Sequence, residues 1–232
     1  MKTEKFDENF LAENMMGPNS LRIIEELLES IKLKKDMKIL DLGCGRGLTS
    51  IFLAKEYEAH VYAVDLWISA ADNLGRFKET KTDKHIIPIC ADAHALPFAD
   101  EYFDAVISVD AYHYFGNNDE YFEKHLRPLL KKDALVALAF PGMKHEVKDN
   151  LPEEMKPLWP AEALEMWHSI PWWQSRLEKS LKNMKSHEMR CFDKAWEDWL
   201  KTKNPYAIED REMMQTDGGR FMNLIAITGN AK

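Results

Sequence analysis

The run Ile39-Leu40-Asp41-Leu42-Gly43-Cys44-Gly45-Arg46-Gly47 combines residue types and a spacing that could do chemistry. An apolar stretch ends in a carboxylate, and a G-x-G-x-G turn follows at once. The residues after it, Leu48 to Ala54, read as a helix. Strand, glycine turn and helix in that order open a nucleotide-binding unit. Glycines serve there because the turn needs backbone angles that a Cβ resists, and because a ligand must come close to the main chain. The helix N-terminus adds unpaired N–H groups. Dinucleotide folds space their glycines as G-x-G-x-x-G. Here the third glycine arrives one residue early, and Asp41 stands two residues before the first. A carboxylate at that point repels a pyrophosphate and suits a ligand carrying an ammonium group. Asp65 lies about twenty residues beyond the turn, where an acidic side chain accepts hydrogen bonds from ribose hydroxyls. Leu66 and Trp67 follow; the flat indole has a place against ribose or adenine, or in plain packing.

Holding these residues in place takes alternating elements. Strands are expected over residues 38–42, 60–65, 86–90, 105–109, 135–140, 188–192 and 220–228. Helices are expected over 48–56, 69–78, 119–130, 161–168, 172–183, 193–201 and 206–215. Two further helices precede the first strand. One carries Phe6, Phe10, Leu11, Met15 and Met16, and Gly17-Pro18-Asn19 breaks it. The other, with Ser20 as its cap, shows Leu21, Ile24, Leu27, Leu28 and Ile31 on one face. Strands alternating with helices give an open α/β sheet.

With 232 residues, 45% of them hydrophobic and 30% charged, the chain suits one large globular domain spanning residues 1–232. The net charge of −8, with no basic stripe beyond Lys32-Leu33-Lys34-Lys35, argues against nucleic acid as a partner. Cys44, Cys90 and Cys191 are scattered, which forms no zinc pair and suits a reducing compartment. His145-Glu146 does not extend to H-E-x-x-H, so no metal is expected. The first residues are too charged for a signal peptide, and no apolar run is long enough to insert in a membrane. A cytoplasmic monomer or homodimer is the expectation.

Asp41-Leu42-Gly43-Cys44-Gly45-Arg46-Gly47 resembles, in full, the acidic-x-G-x-G-x-G motif of class I S-adenosylmethionine-dependent methyltransferases. Leu96-Pro97-Phe98-Ala99-Asp100-Glu101-Tyr102-Phe103-Asp104 is similar to a run in the ubiquinone- and menaquinone-biosynthesis-like members. The chain departs from that pattern at Leu130-Lys131-Lys132-Asp133-Ala134, where the family usually reads L-K-P-G-G. The resemblance implies a Rossmann-like, seven-stranded, mostly parallel sheet with helices on both faces. Its antiparallel last strand would lie between the fifth and sixth. It also implies S-adenosylmethionine as cofactor and a small-molecule acceptor. Cofactor contacts would come from Asp41, Gly43, Cys44, Gly45, Asp65, Leu66, Trp67 and Asp110. Asp92 would accept from the adenine amino group beside the Ala93 N–H, or else cap a short helix. The N-terminal segment 1–35 would fold over the cleft, with Met15, Met16 and Asn19 serving as lid or as packing.

The acceptor side is carried by Asp110, Tyr112, His113 and Tyr114. Related enzymes, phosphoethanolamine N-methyltransferases among them, place a histidine in this region, here one residue off in spacing from Asp110. A neutral His113 assisted by Tyr112 would act as general base; the other reading is a packed histidine. A helical cap over 143–184 would set Trp159, Trp172 and Trp173 beside Tyr114 around the acceptor, or those rings form the cap's own core. Two other functions compete: a nicotinamide-dependent oxidoreductase, and a protein that binds S-adenosylmethionine without catalysis.

Overall fold

The computed structural model describes residues 6–147 and 150–232. Residues 1–5 of the expected N-terminal segment and 148–149 of the expected cap lie outside these. The strands are β1 (Lys38–Leu42), β2 (His60–Asp65), β3 (Ile86–Cys90), β4 (Phe103–Val109), β5 (Leu130–Met143), β6 (Leu181–Glu188) and β7 (Met222–Ala231). They form one sheet in the order β3-β2-β1-β4-β5-β7-β6. β1 through β5 pair in parallel. β7 runs antiparallel to both β5 and β6, between them. This is the expected sheet. The helices are α1 (Glu8–Asn14), α2 (Ser20–Leu27), α3 (Leu48–Tyr57), α4 (Ala70–Glu79), α5 (Ala161–Leu164), α6 (Ile170–Leu177), α7 (Phe192–Leu200) and α8 (Pro205–Asp217).

Strand alternation sorts the apolar residues into two cores, one on each face. Ile39 packs with Leu21, Ile24, Phe52 and Phe77 from α2, α3 and α4. Leu40, the next residue, packs with Val106, Leu126 and Trp173 on the opposite face. The α2 stripe is buried as its spacing requires. Its cap, however, is Asn19 and not Ser20. Asn19 Oδ1 accepts from the N–H groups of Leu21 and Arg22 at 3.1 and 3.4 Å, and Nδ2 donates to Asp198 of α7 at 2.7 Å. Asn19 therefore joins two helices and takes no part in a lid.

Three stretches depart from expectation for identifiable reasons. The segment over 119–130 is a π turn (Phe122–Leu126) followed by a 3₁₀ turn (Arg127–Leu129), because Pro128 has no N–H and its ring crowds the preceding turn. β5 starts at Leu130, absorbing Asp133 at φ 64° in a register shift against β4. It continues through Pro141 to Met143. Beyond Ala139 its other edge is free of β4 and meets only Ser169, at Met143, so the missing proline N–H faces no neighbouring strand. The sixth strand is Leu181–Glu188, not 188–192, and α6 stops at Leu177. β6 is an edge strand, lysine-rich and kinked at Asn183, φ 54°. The loop after β5 is fastened to α6: Glu146 accepts from the N–H and Oγ of Ser169 at 2.7 and 2.6 Å and pairs with His168 Nδ1 at 2.8 Å.

Candidate active site

A cavity of about 310 Å³ opens at the carboxyl ends of β3, β2, β1 and β4, where open α/β sheets hold ligands. Sheet order fixes the order of its polar groups: Asp92 after β3, Asp65 at the end of β2, Gly43 to Gly45 after β1, and Asp110 after β4. Neighbouring strands lie about 4.8 Å apart, so these groups span roughly 14 Å.

Gly43, Gly45 and Gly47 sit at φ 75°, 53° and 80°, the left-handed region that disfavours a Cβ. A side chain at Gly43 would overlap Ala111, and one at Gly45 would meet Met16 Sδ at 3.1 Å. The turn is anchored to β2. Val64 O accepts from the N–H groups of Gly43 and Cys44 at 2.8 and 3.0 Å. Asp65 Oδ2 accepts from Gly45 N–H at 2.8 Å, and Oδ1 from Trp67 and Ile68 N–H at 2.8 and 3.0 Å. Asp65 thus shapes the turn as well as lining the cavity.

Asp41 is placed differently from expectation. Alternation along β1 turns it to the face of Ile39, toward α3. Fully buried, it does not line the cavity. Its Oδ2 accepts from Thr49 and Ser50 hydroxyls at 2.7 and 2.5 Å; its Oδ1 has no partner among the described residues. Burial pushes this carboxyl up to about 6, against the pull of those two hydroxyls and with a further push from Asp65. Asp41 ties the strand to the first turn of the helix that follows the glycines.

At the β3 end, Asp92 Oδ1 accepts from His94 N–H at 2.8 Å and pairs with His94 Nδ1 at 2.9 Å. It closes a turn and caps no helix. The bond from His94 N–H, then the one from its ring, hold the Asp92 carboxyl below its usual range. Ala93 and His94 share the wall. Over the mouth, Trp67 and Tyr114, exposed to 66% and 48%, meet edge to face at 5.4 Å.

Asp110 lines the cavity at φ 58°, strained for a residue with a side chain. Its carboxyl lies against Gly17, where a Cβ would collide with Oδ2. Burial, then the charge of Asp210 on α8, push it up to about 8. Among the described residues no hydrogen-bond donor reaches it.

The expected base is not in the cavity. A 3₁₀ turn over Tyr112–Tyr114 sends Tyr112 and His113 inward and Tyr114 outward. His113 is 2% exposed, its Nδ1 has no partner among the described residues, and it packs on Phe140 and Tyr114. Burial drives its pKa down to about 3, so it stays neutral. Tyr112 is enclosed by Phe115, Tyr121, Phe140 and Trp173.

The aromatic cap also lies off the cavity: among the described residues, none from 143–184 lines it. Trp159 packs edge-on to Phe221, Trp172 stacks on His168 at 3.6 Å, and Trp173 is fully buried against Phe140 at 4.7 Å. Trp173→Ala is accordingly expected to destabilise the fold by about 3–5 kcal/mol, read by chemical denaturation. A stable variant altered only in acceptor affinity would contradict this. Met16 lines the cavity, but Met15 is buried in the core. Asn14, Gly17, Arg46, His94 and Phe115 line the cavity unforeseen. Arg46, inside the glycine turn, was open to inference; the others carry no local signal.

A family model described as "Methyltransferase domain" matches residues 39–133, from the first strand into the start of the fifth. Over that stretch the chain carries a methyltransferase domain. Malonyl-[acyl-carrier protein] O-methyltransferase of Geobacter sulfurreducens is 32% identical to it over 157 residues, 65% of this chain and 52% of that protein. Phosphoethanolamine N-methyltransferase 2 of Haemonchus contortus, solved with S-adenosyl-L-methionine, matches with a TM-score of 0.78 at 19% identity. That match covers 96% of this chain and 55% of the other. Geranyl diphosphate C-methyltransferase of Streptomyces coelicolor matches at 0.71 and 16% identity, over 91% and 80% of the two chains. The chain spans about half the length of the curated relatives it matches, or less. Among its described residues no helix is long and apolar enough to cross a membrane, and no cluster of metal-ligating side chains occurs. The methyltransferase domain therefore has its glycine turn, Asp65, Asp92 and Asp110 on one wall, with His113 and the tryptophans of 143–184 behind it or elsewhere.

Proposed function

We propose that the chain transfers a methyl group from S-adenosylmethionine to a small-molecule acceptor. The observation that carries this is the ordered wall: a turn-and-ribose carboxylate, a glycine cradle that a Cβ would fill, and a lone carboxyl, in that sequence over roughly 14 Å. An adenosine joined to an amino acid has that length and that order of polar groups. Bound there, the cofactor supplies an electrophilic methyl on a cationic sulfur.

The chain's own residues would do the rest. Asp65 accepts from the ribose hydroxyls while keeping Gly45 in place. Asp92 and the Ala93 N–H read the adenine edge, and Trp67 lies along the adenosine. The glycine turn and the start of α3 receive the amino-acid end. Alignment of methyl and acceptor in such a closed cavity supplies roughly 7–11 kcal/mol of the rate enhancement. Asp110 stands on the acceptor side with Tyr114 and takes the proton that the attacking atom sheds. The free thiols of Cys44, Cys90 and Cys191 support a cytoplasmic setting.

Asp65 alone would serve a nicotinamide cofactor equally well, so binding decides. Calorimetry is expected to give saturable heat with S-adenosylhomocysteine and none with NAD. The reverse pattern would replace this reading with the oxidoreductase. Saturation by S-adenosylhomocysteine with no methylated product from any amine, hydroxyl, thiol or activated-carbon panel would favour binding without catalysis.

A further inference from the structure

The glycine turn is held from behind by a hydrogen-bond chain that ends on the N-terminal helix. Asn73 of α4, 2% exposed, donates through Nδ2 to Gly45 O at 2.9 Å. Its Oδ1 accepts from Arg76 Nη1 at 3.1 Å. Arg76 Nε donates to Asn14 Oδ1 at 2.7 Å, and Asn14 Nδ2 donates to Phe10 O within α1 at 2.8 Å. Gly45 is thus gripped at both ends, its N–H by Asp65 and its carbonyl by Asn73. Neither Asn73 nor Arg76 lines the cavity; Asn14, the last residue of α1, and Met16 and Gly17 just beyond it do.

The polarity of the chain is set by Arg76. An amide can present either end, but a guanidinium on Oδ1 forces the NH₂ of Asn73 toward the Gly45 carbonyl. The guanidinium spends these donors on two neutral amides; burial, then its neighbour Arg46, lower its pKa. That is an expensive way to secure a surface helix, and it connects the cavity's two walls. An occupant resting on Gly45 also rests against Met16, whose Sδ lies 3.1 Å from where a Gly45 Cβ would stand.

We infer that Asn73 and Arg76 are positioning residues that couple docking of α1 to the shape of the glycine turn, and so set affinity for the turn's occupant. The inference rests on the cofactor reading above. Coupling of this kind is reciprocal: a filled turn holds α1 down, and a docked α1 keeps the turn receptive.

The test pairs calorimetry with hydrogen–deuterium exchange over residues 8–16, with S-adenosylhomocysteine as probe. The wild-type chain is expected to gain protection there on saturation. Arg76→Ala is expected to bind about tenfold more weakly or worse, the worth of hydrogen bonds from a charged donor, and to gain no protection even when saturated. Asn73→Asp, which keeps the Arg76 bond but turns an acceptor toward the Gly45 carbonyl, is expected to weaken binding similarly while protection over 8–16 stops depending on ligand. It carries the test should Arg76→Ala fail to fold. Normal wild-type binding beside variants of unchanged affinity and protection would overturn the coupling alone. A wild-type chain that takes up no S-adenosylhomocysteine would overturn the cofactor reading and this inference with it.

Discussion

Asp110→Asn is expected to lower turnover by about 10²–10⁴-fold, the usual worth of a positioned general base. The substitution keeps the shape that fits against Gly17 and removes only the ability to take a proton. The wild-type rate should rise with pH through an apparent pKa near 8, the value to which burial and Asp210 raise this carboxyl. The variant's residual rate should lose that rise. Stability should move the other way. An unfolded aspartate releases its proton near 3.9, the folded one near 8. Between those values the native state binds the extra proton, so wild-type stability falls as pH rises through the window. Asparagine has no such slope, and the variant should melt above the wild type at pH 9. Tyr114 and Asp210 face the same corner; Asp210 is itself raised by burial, so Asp210→Asn should pull the apparent pKa of the rate down. A pH–rate profile unchanged in Asp110→Asn would remove Asp110 from the proton's path.

Gly43→Ala is expected to abolish cofactor binding and to destabilise the fold. Two costs add. At φ 75° an alanine pays about 1–2 kcal/mol for its backbone conformation. Its methyl would also overlap that of Ala111, and overpacking in a closed site costs about 1–3 kcal/mol. Together these should lower the melting temperature by roughly 5–20 °C. The double variant Gly43→Ala/Ala111→Gly removes the overlap but keeps the backbone cost, and should recover part of the stability. Wild-type affinity in Gly43→Ala would mean that the turn does not touch the ligand.

The first half of the chain was the readable half. His60–Asp65 and Ile86–Cys90 fall on the expected residues because apolar runs bounded by polar turns leave little choice. The glycine turn is legible because a left-handed backbone demands glycine. What the spacing could not give was direction. Asp41 lies within the motif, yet the pleat turns it away from the cavity. One 3₁₀ turn decides that Tyr114 faces out and His113 in, and nothing in Tyr-His-Tyr-Phe announces it. Trp159, Trp172 and Trp173 carry no spacing that separates core from pocket. β6 hid because Leu181–Glu188 is an edge strand with lysines along it, which reads as readily as the end of a helix. Asn14, Gly17 and Arg76 reach the site by tertiary contact alone.

The antiparallel β7 has a consequence for how the molecule is made. β5 and β6 do not pair with each other; residues 222–231 lie between them and pair with both. Until the ribosome has released those residues, a nascent chain exposes two unsatisfied strand margins, the condition under which neighbouring polypeptides stick. The lysines of β6 at 182 and 185 and its kink at Asn183 then act as a temporary guard, keeping that margin unattractive to strangers while it waits for its own partner.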